Sequence, residues 1–193
     1  MDKITNVLIV GVGGQGILLA SEVLSEVFIK AGLDVKKSEV HGMAQRGGSV
    51  SSHVRAGKKV YSSLINEGEA DYILSFELME SLRWAHYLSK DGLIIVNKQQ
   101  IDPLPVTIGK EEYPQDVHEK LKEKGYNTIV VNAFDIAKEL GNAKAVNIVL
   151  LGTLASKLPF EISIWEEVIR ELVPAKILEL NLNAFKRGLL SNT

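Results

Sequence analysis

Four glycines crowd into six residues of this chain, Gly11-Val12-Gly13-Gly14-Gln15-Gly16, and their flanks limit the fold more than any other feature. Ahead of them, Ile4 to Val10 is a short run rich in β-branched and apolar residues, the signature of a strand buried on both faces. Behind them, Ile17 to Lys30 carries Leu18, Leu19, Val23, Leu24, Val27 and Phe28 at helical spacing. Strand, glycine turn and helix in that order make a G-x-G-x-x-G pattern meaningful. The first glycine permits the tight turn, the second lets backbone approach a ligand, and the third lets helix and strand pack closely. Backbone N–H groups at such a helix start favour an anion. Gln15 adds a polar side chain within reach of a ligand or a partner. An acid near the end of the second strand, where a dinucleotide fold holds a ribose, is Glu39.

The remaining pattern extends this beginning into an alternation of strands and helices. Leu33 to Val40 reads as a second strand. Ser49–Arg55 and Val60–Ile65 read as an antiparallel pair joined by a tight turn at residues 56–59. Tyr72–Phe76, Leu93–Asn97 and Thr128–Val131 read as strands, with a turn at Asp91-Gly92 and a possible edge strand at Val106–Ile108. Helices are expected over 77–88, 115–124 and 133–140, and the last third is helical throughout. Ala145–Leu158 is apolar on most sides; Ser163 and Glu166 suggest a capping box; Pro174 opens a final helix to about Leu189. The expected fold is α/β: a three-layer sandwich of a mixed, mostly parallel sheet with helices on both faces and a helical C-terminal third. No repeat or linker divides residues 1–193, so one domain is expected.

A second glycine-rich stretch, His41-Gly42-Met43-Ala44-Gln45-Arg46-Gly47-Gly48, follows the second strand. Strand ends of an open α/β sheet share one edge, where ligands bind, so the two stretches should lie close together. Arg46 offers a planar fork for a phosphate or carboxylate, and Gly47 and Gly48 leave the backbone open beside it. Gln45 suits an amide or pyrimidine-like edge, and His41 shares strand parity with Glu39. A structural loop whose Arg pairs with a local carboxylate is the plainer alternative. Asn147 and Gly152 are open to two readings also: close helix packing, or an interface.

Composition narrows the chemistry. The 193 residues carry a net charge of -2, so no basic face points to nucleic acid. There is no Cys, which rules out thiolate nucleophiles and Cys-ligated zinc or iron–sulfur clusters within this chain. The four His residues have no metal-ligand spacing. The apolar run in MDKITNVLIVGVGG is too short to span a membrane and reads as a strand rather than a signal peptide; no membrane partner and a cytoplasmic location are expected.

Together, GVGGQGILLA at 11–20 and the RGG of 46–48 resemble the small, γ-type subunits of the 2-oxoacid:ferredoxin oxidoreductases, and the resemblance covers nearly the whole chain. The longer form EVHGMAQRGGSV at 39–50 is most similar to the branch of that family acting on indolepyruvate. Relatives acting on pyruvate or branched-chain oxoacids carry a Tyr-Gly-Pro-Glu-type run where this chain has His41-Gly42-Met43-Ala44-Gln45. The run Asn147-Ile148-Val149-Leu150-Leu151-Gly152 also resembles a family helix.

The resemblance implies oxidative decarboxylation of a 2-oxoacid on thiamine diphosphate, with electrons passing through iron–sulfur clusters to ferredoxin and the acyl group to coenzyme A. Thiamine diphosphate, magnesium and the clusters would sit on a large α-type catalytic subunit, since this chain has neither Cys nor a Gly-Asp-Gly signature. This chain would dock on that subunit and help close the cofactor and coenzyme A site. It would be inactive by itself and prone to self-association when isolated. Cofactor contact would fall to Gly11, Gly13, Gly14, Gln15 and Gly16 in the first stretch. Around the second it would fall to Glu39, His41, Gln45, Arg46, Gly47 and Gly48, with no catalytic or metal-binding residue in the chain. Three alternatives stay open: a γ subunit for pyruvate or branched-chain 2-oxoacids, a stand-alone nucleotide-binding protein resembling the ubiquitin-activating-like adenylyltransferases, whose turn is also GxGGxG, and a non-catalytic interaction protein.

Overall fold

The computed structural model describes residues 3–41 and 48–191, residue 41 through its backbone alone. Six strands form one sheet in the order β2-β3-β1-β4-β5-β6. They are β1 (Thr5–Val12), β2 (Asp34–His41), β3 (Ser49–Gly57), β4 (Ala70–Ser75), β5 (Leu88–Asn97) and β6 (Thr128–Val131). β4, β5 and β6 extend from β1 in parallel register, and β3 alone runs antiparallel, wedged between β1 and β2. The sheet is therefore mixed and mostly parallel, as the alternation of elements predicts.

β1 is buried along almost its whole length, and its alternate residues serve two cores. Val7 and Ile9 join a large cluster with Leu24, Val27 and Phe28 of helix α1 (Ile17–Lys30). The C-terminal helices α6 (Val146–Ala155), α7 (Ile162–Leu172) and α8 (Leu178–Leu189) complete that layer. Leu8 and Val10 face the other way, toward Ala85, Val117 and Leu121. This second layer is built around α2 (Leu78–Trp84) and α4 (Val117–Glu123). Period-two alternation on a strand with no polar face requires a layer on each side, which is the three-layer sandwich. The short helices α3 (Leu104–Thr107) and α5 (Ala133–Glu139) follow β5 and β6.

The long apolar helix in the last third is α6, and all ten of its residues are buried. Gly152 decides how closely it meets α8: a Cβ there would clash with the Phe185 carbonyl oxygen, and one on Gly188 with the Val149 carbonyl oxygen. Thr153 seals the crossing by donating its hydroxyl to the Gly188 carbonyl at 3.0 Å. The packing reading of Gly152 is thus the one the helices realise.

Four local expectations need correction. Val60–Ile65 is not a strand and there is no hairpin over 49–65. Both edges of β3 are already occupied, by β1 and β2, so no ladder remains for a third partner. The segment instead folds back irregularly. His53 Nδ1 accepts the Ile65 N–H at 3.2 Å, and the Arg55 guanidinium donates to the carbonyls of Ser62 and Leu64 at 3.2 and 2.8 Å. Residues Val106–Ile108 are not an edge strand: Pro103 and Pro105 bracket the start of helix α3, where a missing N–H costs nothing. Asp91-Gly92 is no turn but part of β5, which takes up the extra residues as an irregularity opposite Ala70–Tyr72. Ser163 is not a helix cap, because α7 starts one residue before it, and its hydroxyl reaches the Glu161 carboxylate at 3.3 Å.

Candidate functional site

All strands but β3 end on one edge, and the Gly-rich turn sits at its centre, after β1. Gly14 and Gly16 adopt φ of 100° and 83°, where a Cβ is strained, so the turn from strand to helix depends on glycine. Gly11 is needed for space: a Cβ there would stand 2.7 Å from Gln15 Oε1 and 2.8 Å from Phe76 Cβ. At Gly16 it would meet Asn147 Nδ2 at 2.8 Å. That Asn147 amide donates to the Gly16 carbonyl at 3.4 Å, so the buried polar residue of α6 is tied to the turn.

Gln15 is engaged inside the fold. Its Oε1 accepts the Val12 N–H at 2.7 Å, and its Nε2 donates to the Phe76 carbonyl at 3.0 Å and to Gln99 Oε1 at 3.3 Å. The side chain therefore laces together the ends of β1, β4 and β5. Asn97 joins the same node, donating to the Phe76 carbonyl and to Gln99 Oε1 at 3.1 and 3.0 Å.

The two Gly-rich stretches meet where expected. The Gly13 N–H donates to the Gly48 carbonyl at 2.9 Å, and Val12 pairs with Ser49 at the start of β3. Gln45, Arg46 and Gly47 lie outside the described residues, as do Gly42, Met43, Ala44 and the side chain of His41. Glu39 is placed differently from the acid of a dinucleotide fold. β3 separates its strand from β1, and its carboxylate is taken by Ser21 Oγ at 3.2 Å and Lys37 Nζ at 3.3 Å.

Beside the turn lies a cavity of about 470 Å³. Its walls come from Gly14–Gly16 and Leu19 of α1, Phe134 of α5, residues 142–147, the Val173-Pro174 corner and Asn181 of α8. The starts of α1 and α6 both border it, and neither has a side-chain cap or an acidic residue in its first turn. Lys144 stands at its wall without a carboxylate partner among the described residues. This mixture of apolar wall, amides and positive potential suits an extended ligand with an anionic end.

Two carboxylates that sequence reasoning missed organise the same edge. Glu77 is fully buried at the start of α2. It takes N–H groups from Glu80 at 2.9 Å and Ile101 at 3.2 Å, and the hydroxyl of Tyr113. Burial nevertheless pushes its pKa up, the hydrogen bonds only opposing that shift. Burial, and then the Glu77 carboxylate, raise the Tyr113 phenol above its ordinary range. Glu80, also buried, accepts Ser49 Oγ at 2.5 Å, Trp84 Nε1 at 3.2 Å and Arg83 Nε at 3.0 Å. A pair of acids three apart just after a buried strand was the available signal, since charge there needs partners from neighbouring segments.

Among the described residues no group of three or more His, Cys, Asp or Glu is placed to hold a metal ion, and no helix is long and apolar enough to cross a membrane.

Residues 6–191 match the family model described as pyruvate ferredoxin/flavodoxin oxidoreductase. The chain is 44% identical to the indolepyruvate oxidoreductase subunit IorB of Archaeoglobus fulgidus, over 95% of this chain and 92% of that protein. It is 43% identical to the IorB subunit of Thermococcus kodakarensis, over 95% and 93%. To the pyruvate/ketoisovalerate oxidoreductases common subunit gamma of Pyrococcus furiosus it is 28% identical, over 92% and 91%. Its fold is that of pyruvate oxidoreductase subunit PORC from Thermotoga maritima, with a TM-score of 0.73, 25% identity, and coverage of 97% of this chain and 96% of that one. The 2-oxoglutarate:ferredoxin oxidoreductase of Magnetococcus marinus, solved with 2-oxoglutarate, coenzyme A and succinyl-CoA bound, shares the fold at a TM-score of 0.78 and 20% identity. There the match spans all of this chain but 31% of the other. With a family match across nearly every residue and a glycine turn built as the sequence requires, the chain belongs to the pyruvate ferredoxin/flavodoxin oxidoreductase family.

Proposed function

We propose that this chain is the small, γ-type subunit of a 2-oxoacid:ferredoxin oxidoreductase that acts on indolepyruvate and other aryl pyruvates. The observation that carries the reading is the fall in identity from 44% with an indolepyruvate oxidoreductase subunit to 28% with a pyruvate/ketoisovalerate γ subunit, at nearly equal coverage. In the complex, thiamine diphosphate supplies the carbanion chemistry of decarboxylation, and iron–sulfur clusters supply the electron path to ferredoxin. Neither group suits this chain: it has no Cys for a cluster and no Gly-Asp-Gly run for magnesium and the diphosphate. Both are assigned to a large partner subunit.

This chain contributes the edge of its sheet as one domain. Gly13, Gly14 and Gly48 bring backbone against the partner's cofactor region without side chains in the way. Gly11, Gly16 and Gln15 hold the turn in shape. Arg46 is assigned as the cation for a phosphate or carboxylate, with cofactor contact also assigned to Gly47, His41, Gln45 and Glu39. The cavity beside the turn supports coenzyme A as the molecule whose path this subunit helps close. Exposed apolar side chains on segments leaving this edge, Leu18, Val40, Leu104 and Ile108, suit burial against a partner.

The test is to purify the tagged chain from its host and assay CoA-dependent ferredoxin reduction with indolepyruvate and with pyruvate. A large cluster-bearing partner with aryl-pyruvate activity is expected. The same partner active on pyruvate alone overturns the branch, and a lone chain holding a nucleotide overturns the family role.

A further inference from the structure

Backbone pairing with β1 and β2 holds the start of β3, and the bond from the Gly13 N–H to the Gly48 carbonyl extends the β1 ladder by one contact. A second restraint comes from α2. Ser49, next to Gly48, donates its hydroxyl to Glu80 at 2.5 Å. Glu80 is 2% exposed, and its carboxylate is itself held by Trp84 Nε1 at 3.2 Å and Arg83 Nε at 3.0 Å. Helix α2 is in turn fixed at its start, where Glu77 accepts the Glu80 N–H at 2.9 Å and Leu78 donates to the Gln99 carbonyl at 2.9 Å. Gln99 closes the circuit by accepting from Gln15 of the Gly-rich turn at 3.3 Å. A backbone route, the β1–β3 ladder extended by the Gly13–Gly48 bond, and a side-chain route through Gln15, Gln99, α2, Glu80 and Ser49 thus join the Gly-rich turn to the start of β3.

A buried carboxylate is a costly way to hold a serine hydroxyl unless the position of that serine matters, because removing the charge from water is repaid only by well-made hydrogen bonds. Trp84 Nε1 also reaches Ser49 Oγ, at 3.4 Å, so two side chains of α2 hold this one hydroxyl. We propose that Glu80 is a positioning residue for the oxidoreductase reaction. Through Ser49 it fixes the seam at which the two Gly-rich stretches face the partner's cofactor, and it does so without touching cofactor or substrate. This inference rests on the function proposed above.

The test uses the reconstituted complex of this chain with its large partner, with Glu80→Gln, Ser49→Ala, Ser49→Thr and Arg46→Ala variants. Steady-state ferredoxin reduction is measured with indolepyruvate and coenzyme A, alongside the thermal midpoint of each chain and its co-purification with the partner. A misplaced reacting group costs rate rather than binding, so Glu80→Gln and Ser49→Ala should each lower kcat roughly tenfold. KM should stay within about twofold for both substrates. The double variant should lose no more than Ser49→Ala alone, since Ser49→Ala removes the hydrogen bond that Glu80→Gln deprives of its charge. Ser49→Thr, which keeps the hydroxyl, should retain kcat. Wild-type kcat in Glu80→Gln and Ser49→Ala, with Arg46→Ala impaired, overturns this inference and leaves the functional reading standing. Wild-type kcat in all three overturns this inference and the role given to Arg46, whereas a wild-type complex with no indolepyruvate-dependent ferredoxin reduction overturns the functional reading itself. Loss of kcat that merely follows loss of partner binding or of thermal stability also overturns it, by assigning Glu80 to the fold alone.

Discussion

Single residues at the turn carry conformational demands that no neighbour can meet for them. Gly16 combines φ of 83° with Asn147 Nδ2 at 2.8 Å from any added Cβ. Gly16→Ala is therefore expected to cost about 1–3 kcal/mol, read from thermal or denaturant unfolding of the chain. A cost indistinguishable from zero would mean that the turn can relax. His53 poses a different demand. It is buried on β3, its Nδ1 accepts the Ile65 N–H, and burial followed by the nearby Arg55 charge lowers its pKa. The folded chain therefore resists a proton that the unfolded chain accepts. The stability that follows is complete above the ordinary His pKa of about 6.5 and is lost as pH falls below it toward the folded value. The wild-type midpoint should drop more than that of His53→Asn between about pH 7.5 and pH 5.5. Equal drops would take His53 out of the balance.

The segment between β5 and α4 shows how one side chain can set the form of a whole element. Ile101 and Tyr113, at its two ends, both bond to the carboxylate of Glu77. Between them α3 stands out with Leu104 71% exposed. Tyr113→Phe removes one of three donors from a buried carboxylate, leaving the N–H groups of Glu80 and Ile101, and takes the acceptor from the Met79 N–H. The expected loss is about 1–3 kcal/mol. Faster protease cleavage within residues 103–111 should accompany it, because the excursion is then held at one end. Unchanged cleavage kinetics would show that α3 holds itself in place. The same scale explains the hairpin that is not there. Residues 60–65 have the apolar content of a strand, but strand identity requires a free ladder, and β3 has none.

At the scale of the molecule, the sheet order brings distant parts of the chain to one edge. β3 enters between β1 and β2, so the glycines after β1 meet the residue before β3, 35 positions on, through one backbone bond from Gly13 to Gly48. Function in the proposed complex belongs to this edge rather than to any one residue. Arg46→Ala should leave the unfolding midpoint of the isolated chain within about a degree or two, because the role assigned to it lies in the complex and not in the fold. In the reconstituted complex the same variant should reduce turnover by roughly tenfold or more, by removing the cation proposed to meet the cofactor. Full activity of that variant would show that the second Gly-rich stretch does not reach the reacting groups.

Much of this was legible in the residues themselves. The strand, glycine turn and helix at the start follow from local conformational limits and from hydrophobic period, so β1 and α1 stand where the pattern places them. β6 and the buried α6 are equally legible, each because its apolar content leaves one way to be satisfied. The absence of Cys bounded the chemistry without reference to any fold. Other features were decided only when segments far apart were packed together. The antiparallel entry of β3 between β1 and β2 is one of them, because sheet order depends on which ladders are already filled. The internal use of Gln15 is another, since its three partners lie on β1, after β4 and after β5. The roles of Glu77 and Glu80 belong here too. A carboxylate can be buried only where remote donors gather around it, and a linear pattern records the acid but not the donors.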